Sequence, residues 1–221
     1  MRWQAAQNSP WIAGILAAAG GFLDAFAYFG HGRVFANAMS GNVVLLGVAA
    51  ATGDWRQSYR HLQPILAFLV GVAAAQTFRL PRMAKVRDPA IACLTLEMVF
   101  LFAAGWLPIR ALDLPLVLGI SFLAALQSST FPRIEKWGYN STMTTGNLRV
   151  FGEAGFDAIF SRPNVEAAHK AKLYGAICLA FLGGATLGAM STAALENRAL
   201  WVADIVLLVA WFPLVRARRT A

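Results

Sequence analysis

Long apolar stretches separated by short polar segments dominate the pattern of this chain. Each stretch is about 17–21 residues long, close to the roughly 20 residues that a helix needs to cross a ~30 Å hydrocarbon core. The residues do not alternate between apolar and polar as they do in the strands of membrane barrels. The pattern predicts an all-α integral membrane protein with about six transmembrane helices. The predicted spans are 11–30, 64–80, 89–107, 115–131, 173–193 and 199–215.

Two further apolar segments, 35–53 and 142–160, are interrupted by polar residues. A Ser-Gly-Asn sequence at 40–42 leaves only 43–53 as a clean apolar helix in the first segment. At 1.5 Å per residue, that helix covers about half of the hydrocarbon core. The charged residues of the second segment are Arg149, Glu153 and Asp157. Because lipid tolerates such charges badly, both segments are predicted to be broken or re-entrant half-helices that the other spans shield.

Composition and charge agree with a membrane class. Hydrophobic residues make up 58% of the chain and charged residues only 14%, against about 25% charged in soluble domains. The net charge of +8 comes from basic residues beside the apolar segments and at the C-terminus. This placement favours contact with lipid headgroups, and nucleic-acid binding is not predicted.

The distribution of basic residues predicts the topology. With six crossings and the N-terminus inside, 14 of the 19 Lys and Arg residues face the cytoplasm, including four in the loop 79–87. Eight crossings would place that loop outside. The positive-inside rule therefore favours six crossings with both termini cytoplasmic.

One membrane domain, 1–221, contains two related halves, 11–107 and 115–215. Leu23-Asp24 aligns with Leu126-Gln127, and residues 39–42 align with 144–147 after a two-residue insertion. Each motif precedes a short helix and a predicted amphipathic linker, at 54–63 and 161–172. Since three spans per half is an odd number, the second half is predicted to be inverted, as in many transporters.

The run GGFLDAFAYFGHGRVFANAMSGNVVLLG and its later Thr-Gly-Asn echo resemble the YoaK-like family of bacterial membrane proteins. The resemblance extends from about Trp11 to Arg216, and it implies a bacterial inner-membrane protein with about six helices. It implies no substrate and no catalytic residue.

The candidate binding residues are polar groups in or beside the spans. Gly20, Asp24 and Tyr28 share one helix face, with His31 one turn further on. Asp24 is predicted either to bind a cation or relay a proton, or to cap the break at 40–42. In the second half, Gln127 takes the position of Asp24 as an uncharged partner.

The two Gly-Asn motifs complete the candidate site. Their Ser, Thr and Asn side chains are predicted to cap the helices that follow, whose N-termini would hold an anion or a carboxylate. Ordinary surface turns are the alternative. The motif residues are Ser40, Gly41, Asn42, Thr145, Gly146 and Asn147.

Other polar or small residues within spans are predicted to be structural. Glu97 and Asp204 are both expected to find a structural partner; for Asp204, which lies near a helix end, reaching an interface is the alternative. Gly183, Gly184 and Gly188 form a small-residue face for helix packing, within the chain or in a homodimer.

No cofactor, metal site or disulfide framework is predicted, since no nucleotide or metal motif occurs and Cys93 and Cys178 lack CxxC partners. The predicted function is a secondary transporter or channel for a small solute or ion, with a midplane site at Asp24 and the two motifs. The alternatives are a membrane enzyme or lipid-handling protein using Asp24, His31 and Arg33, or an accessory subunit without a site. Enzymatic activity is the less favoured of these.

Overall fold

The computed structural model describes residues 2–77, 88–108, 113–160 and 164–219. It is nearly all-helical, with one short two-stranded hairpin in the described part. The helices are α1 (Arg2–Gln7), α2 (Pro10–Gly30), α3 (Met39–Ala51), α4 (Trp55–Thr77), α5 (Pro89–Ala104), α6 (Asp113–Thr130), α7 (Thr145–Phe160), α8 (Val165–Leu195) and α9 (Ala199–Arg219). The strands are β1 (Arg133–Ile134) and β2 (Trp137–Gly138), which pair antiparallel.

Three described helical stretches are long and apolar enough to cross a membrane: Pro10–Gly30, Asp113–Thr130 and Val165–Arg219. The last of these contains α8 and α9, joined by a short 3-10 turn. Met39–Ala51 and Pro89–Ala104 are shorter apolar helices. The membrane class is confirmed, whereas the number of crossings stays a prediction. The basic loop 79–87, on which the prediction of six crossings depends, lies outside the described residues.

The two predicted amphipathic linkers are, where the structure describes them, not separate connections. α4 begins at Trp55 and α8 at Val165, so each polar segment forms the first turns of the helix that follows. Ser58, His61 and Pro64 are buried at three-residue intervals, which gives the start of α4 a face that packs against the bundle. Asn164 caps α8 by accepting from the amide of Ala167 at 3.0 Å.

Glycine contacts bring the long helices together in parallel pairs. α2 packs along α8, where Gly184 and Gly188 lie directly against the backbone of Ala18 and Phe22. α4 packs along α6, where Gly71 lies against the backbone of Phe122. The glycine face of α8 is therefore used inside the chain. Gly183 has open space around it and takes no part in this contact. A homodimer stays a prediction.

Side-chain contacts define the two ends of the bundle. At one end, called here the N-terminal end, Gln7 donates to the carbonyl of Thr130 at 3.0 Å. At the opposite end, His31 contacts Asp113 at 2.8 Å. Since Thr130 ends α6 and Asp113 begins it, α2 and α6 run antiparallel.

The hairpin and the chain around it cover the N-terminal end. Tyr174 of α8 donates to the carbonyl of Gly138, and the amide of Glu135 donates to the carbonyl of Asn8 at 2.7 Å. Lys136 donates to the Glu166 carboxylate at 2.7 Å and holds the pKa of that carboxyl below its ordinary value. These contacts put the start of α8, and with it the end of α7, at the N-terminal end.

The short helices α3 and α7 run to opposite ends. α3 starts beside Asp24 and ends at the connection to α4, where Gln57 contacts the Gly32 carbonyl. α7 starts beside the middle of α2 and ends close to the start of α8. With 13 and 16 residues, they are about 20 and 24 Å long, shorter than a ~30 Å hydrocarbon core.

Candidate functional site

A cavity of about 570 Å³ lies where the starts of α3 and α7 approach α2. Its polar lining comes from all three elements and from the loop that leads into α7. The lining residues are Asp24, Ala25, Tyr28, Phe35, Ala38, Ser40, Asn140, Thr142, Met143, Thr144, Thr145, Gly146, Phe181 and Ala185. The cavity therefore brings together one buried acid and two helix N-termini that are about 105 residues apart in sequence.

Asp24 joins α2 to the start of α3. Its Oδ1 atom accepts from the backbone amides of Asn37 at 2.7 Å and Ala38 at 3.2 Å. The side chain of Asn37, which is fully buried, donates to the carbonyl of Gly20 at 2.7 Å. Asp24 thus satisfies two amides just ahead of α3 and also lines the cavity, so its structural and binding roles coexist.

The side chain of Asn42 hydrogen-bonds back to the backbone of the loop that precedes α3. Its side-chain amide donates to the carbonyl of Phe35 at 2.7 Å, and its Oδ1 accepts from the amide of the same residue at 3.0 Å. A ring of this type satisfies two backbone groups that no helix or strand would satisfy. Asn42 therefore holds the loop in place and does not face the cavity.

Asn147 makes the same ring in the second half. Its side-chain amide donates to the carbonyl of Asn140 at 2.7 Å, and its Oδ1 accepts from the amide of Asn140 at 3.3 Å. Asn140 also orders the next turn, because its Oδ1 accepts from the amide and the hydroxyl of Thr142 at 2.9 Å.

Gln127 links the loop before α7 to α5. Its Oε1 accepts from the Ser141 hydroxyl at 2.9 Å, and its amide donates to Glu97 at 3.1 Å. Ser141 also packs against α2, where a Cβ at Gly20 would lie 2.6 Å from its carbonyl oxygen. The loop before α7 is therefore held between α2 and α6.

The structure groups some of the predicted site residues and separates others. Tyr28, Ser40, Thr145 and Gly146 line the cavity together with Asp24. The remaining predicted residues, Gly41, Asn42, Gln127, Asn147 and Glu97, lie in the surrounding scaffold.

His31 lies in a second cavity, of about 280 Å³. Its ring contacts Asp113, and the same cavity is lined by Arg56 and Arg60. Arg33 has a left-handed backbone, with φ of 59°, and is exposed. Asp24 and His31, which the sequence placed on one helix face, therefore serve different cavities.

The prediction that Ser40 helps to cap α3 is wrong. α3 starts at Met39, its N-cap residue is Ala38, and no side-chain hydrogen bond caps it. Ser40 is exposed within the first turn. The reason is that Asp24 already accepts from the amides ahead of the helix, while Asn42 turns back to Phe35.

Several residues that shape the cavity were missed, among them Asn37, Asn140, Ser141 and Thr142. The alignment of the two motifs also aligns the loops before them, since Phe35 and Asn140 each stand seven residues before the motif Asn, at Asn42 and Asn147. This equivalence is the sequence feature that points to the loop residues. In the described part of the chain, no group of three or more His, Cys, Asp or Glu could hold a metal ion.

Comparison with known proteins gives the family. Residues 12–212 match the family described as "Protein of unknown function (DUF1275)". The chain is 27% identical over 142 residues to the UPF0700 transmembrane protein YoaK of Bacillus subtilis (strain 168), a match that covers 62% of this chain and 63% of that protein. No solved structure matches the chain. The resemblance to YoaK-like proteins is confirmed, and the chain belongs to the DUF1275 family.

Proposed function

We propose that this protein is a secondary transporter or channel of the bacterial inner membrane, with both termini in the cytoplasm. Its substrate is a small solute or ion that binds in the cavity between the starts of α3 and α7. The single observation that carries the proposal is that Asp24, Ser40 and Thr145 line this one cavity.

The arrangement of the two short helices supports the proposal. α3 and α7 start beside the same cavity and run to opposite ends of the bundle. Each is too short to cross a ~30 Å core alone. Interrupted helices that meet near the midplane from opposite sides form the substrate sites of inverted-repeat transporters.

The packing of the long helices supports an inverted repeat. In the first half α4 lies along α6, and in the second half α8 lies along α2. If the two halves are exchanged, α2 replaces α6 and α4 replaces α8, and the same two helix pairs are obtained. The same exchange converts the hydrogen-bonded ring of Asn42 into that of Asn147.

The chemistry of the cavity selects small charged or zwitterionic solutes. The starts of two helices present a partial positive charge, and Asp24 supplies a carboxylate on the α2 side. Apolar groups such as Phe35 and Phe181 form much of the remaining wall. Few polar groups in an apolar cavity give orientation and specificity to a bound small molecule.

Flux into liposomes tests the proposal. The purified full chain is reconstituted and exposed by rapid mixing to gradients of chloride, acetate, ammonium or glycine, and internal volume or pH is followed. We expect at least one of these probes to move faster than in protein-free liposomes. Asp24→Asn should abolish that flux while leaving a folded protein, because an amide oxygen can still accept from the α3 amides.

Lys136→Gln provides a matched surface control, since Lys136 lies at the N-terminal end and does not line the cavity. Its flux should equal that of the unmodified chain. Flux that survives Asp24→Asn at full rate would contradict a site at Asp24. Absence of flux with all four probes would count against transport of small charged solutes.

A further inference from the structure

A second group of buried acids lies away from the cavity, in the contact between α5 and α9. Glu97 is 1% exposed and Asp204 is 7% exposed. The predicted structural partner is present for Glu97, which accepts from Gln127 at 3.1 Å, but a side-chain partner for Asp204 is absent among the described residues. Both carboxylate oxygens of Asp204 are buried without a hydrogen-bond partner among the described residues.

Three contacts hold α5 and α9 antiparallel and place the two acids at a similar level. Trp201 donates to the carbonyl of Phe102 at 3.1 Å, Trp211 donates to the Thr95 hydroxyl at 2.9 Å, and Arg218 pairs with Asp88 at 2.8 Å. Asp204 follows Trp201 by three residues, and Glu97 lies between Thr95 and Phe102. The two carboxyl groups interact electrostatically.

Within the part of the chain that the structure describes, the pair has no cationic partner. No ion pair of the described chain involves Glu97 or Asp204. The titratable neighbour from α5 is Cys93, and α6 contributes the uncharged Gln127. The residues of α1 and α2 that share a core with α9 are apolar, and Asp24 faces the start of α3 instead. Near the end of α8 the buried polar groups Ser191, Thr192 and Asn197 are uncharged, and the charged Glu196 and Arg198 are exposed.

An ionised pair in this position would be strongly unfavourable. Each buried and unpaired charge costs several kcal/mol, and membrane surroundings add to that cost. Two nearby carboxyl groups relieve the repulsion by sharing one proton. A hard metal cation needs about six or more oxygen ligands, which no group of acids and histidines in the described residues provides. A proton needs only the two carboxyl groups themselves.

We propose that Asp204 and Glu97 form a proton-binding site between α5 and α9, separate from the cavity at Asp24. The two buried carboxyl groups hold one proton between them, and each is the like charge that strengthens proton binding by the other.

The site is connected to the loop that leads into the cavity. Glu97 accepts from Gln127, and Gln127 accepts from Ser141, whose neighbours Asn140 and Thr142 line the cavity. A change in the charge of the pair therefore reaches the cavity wall through two hydrogen bonds. In this way the proton becomes the coupling ion of transport, a role that rests on the proposed function.

Dicyclohexylcarbodiimide tests the site, because this apolar reagent modifies carboxyl groups only when they are protonated. The full chain in detergent is labelled from about pH 5 to about pH 9, and the modified residues are identified by mass spectrometry of peptides. We expect the pair to be labelled, at Asp204, Glu97 or both, with a yield that falls as pH rises. Glu97→Gln should move the midpoint of this curve down by about one pH unit, since it removes the like charge.

A second variant, Asp204→Asn, keeps the test valid if the first variant does not fold. If Glu97→Gln does not elute as a folded species, Asp204→Asn should shift the labelling of Glu97 in the same direction. Glu153→Gln, on the exposed face of α7, is the control and should leave both curves unchanged.

Absence of labelling at both acids, or curves that neither variant shifts, would overturn the proton site. The labelling requires no transport, so its result is independent of the flux experiment. A chain with the labelling curve described here and no solute flux would contradict the proposed function alone.

Discussion

Asn42 and Asn147 form the same hydrogen-bonded ring, each with the backbone of the residue seven positions before it. The donor distances to the carbonyls of Phe35 and Asn140 are both 2.7 Å. Each ring closes the loop that precedes a short helix, and each of these helices begins at the same cavity. The same hydrogen-bonded connection between a loop and the short helix after it therefore occurs in both halves of the chain.

These rings predict matched effects of substitution. Asn42→Asp and Asn147→Asp keep the side-chain shape but replace the donor with a second acceptor that faces a carbonyl. We expect each to lower the free energy of unfolding by about 1–3 kcal/mol. Thermal unfolding of the purified protein in detergent, followed by tryptophan fluorescence, measures the change.

Ser40→Ala is the control for these variants, because Ser40 is exposed and makes no described cap. It should change stability by less than about 0.5 kcal/mol. If only one of the two Asn→Asp variants were destabilising, the two rings would not be equivalent.

Asp24 should contribute to stability as well as to binding. Asp24→Ala leaves the amides of Asn37 and Ala38 without their acceptor, which costs about 1–3 kcal/mol for each buried group. Asp24→Asn keeps one acceptor, so we expect it to lie between the unmodified chain and Asp24→Ala. Thermal unfolding gives the order of the three proteins. Equal stability of all three would show that Asp24 does not hold the start of α3.

Neighbouring glycines of α8 should respond in opposite ways. A Cβ at Gly184 would overlap the backbone of Ala18, whereas a Cβ at Gly183 meets no atom within 4 Å. Gly184→Ala should therefore separate α8 from α2 and reduce the folded yield. Gly183→Ala should be neutral or stabilise the helix by up to about 1 kcal/mol.

Yield of monodisperse protein on gel filtration, together with thermal unfolding, distinguishes the two variants. The same loss in both would mean that the small-residue face is not the contact with α2. A change in oligomeric state for Gly183→Ala alone would point to a contact between copies.

The sequence predicted the membrane class and the short helices well, because both follow from the spacing of apolar and charged residues. The start of α4 could not be found in this way, since Trp55 to Gln63 is too polar to resemble a span. It is helical because Ser58 and His61 pack against the bundle, and tertiary packing decides such segments.

The candidate site was predictable in outline only. The repeated motif lies at the starts of α3 and α7, which line one cavity together with Asp24, whereas a binding site there stays a prediction. Periodicity put His31 beside Asp24, but α2 ends at Gly30 and the chain turns there, so His31 meets Asp113 instead. The partners of Glu97 and the burial of Asp204 depend on how α5, α6 and α9 pack, which one sequence does not reveal.

Accessibility of single cysteines from each side of the membrane tests the central claim most directly. Cys93 and Cys178 are replaced by Ala, and single cysteines are introduced as Ser40→Cys and Thr145→Cys. Thr52→Cys, just after α3, and Glu166→Cys, at the start of α8, mark the two ends of the bundle. A membrane-impermeant methanethiosulfonate reagent is applied to right-side-out and to inverted vesicles.

We predict that the cysteines at 52 and 166 react from opposite sides only, outside and cytoplasmic respectively. The cysteines at 40 and 145 should react from both sides, as expected of a cavity that opens alternately or continuously to each. If the cysteines at 40 and 145 react from one side only, or if those at 52 and 166 react from the same side, the transport site between two inverted half-helices is contradicted.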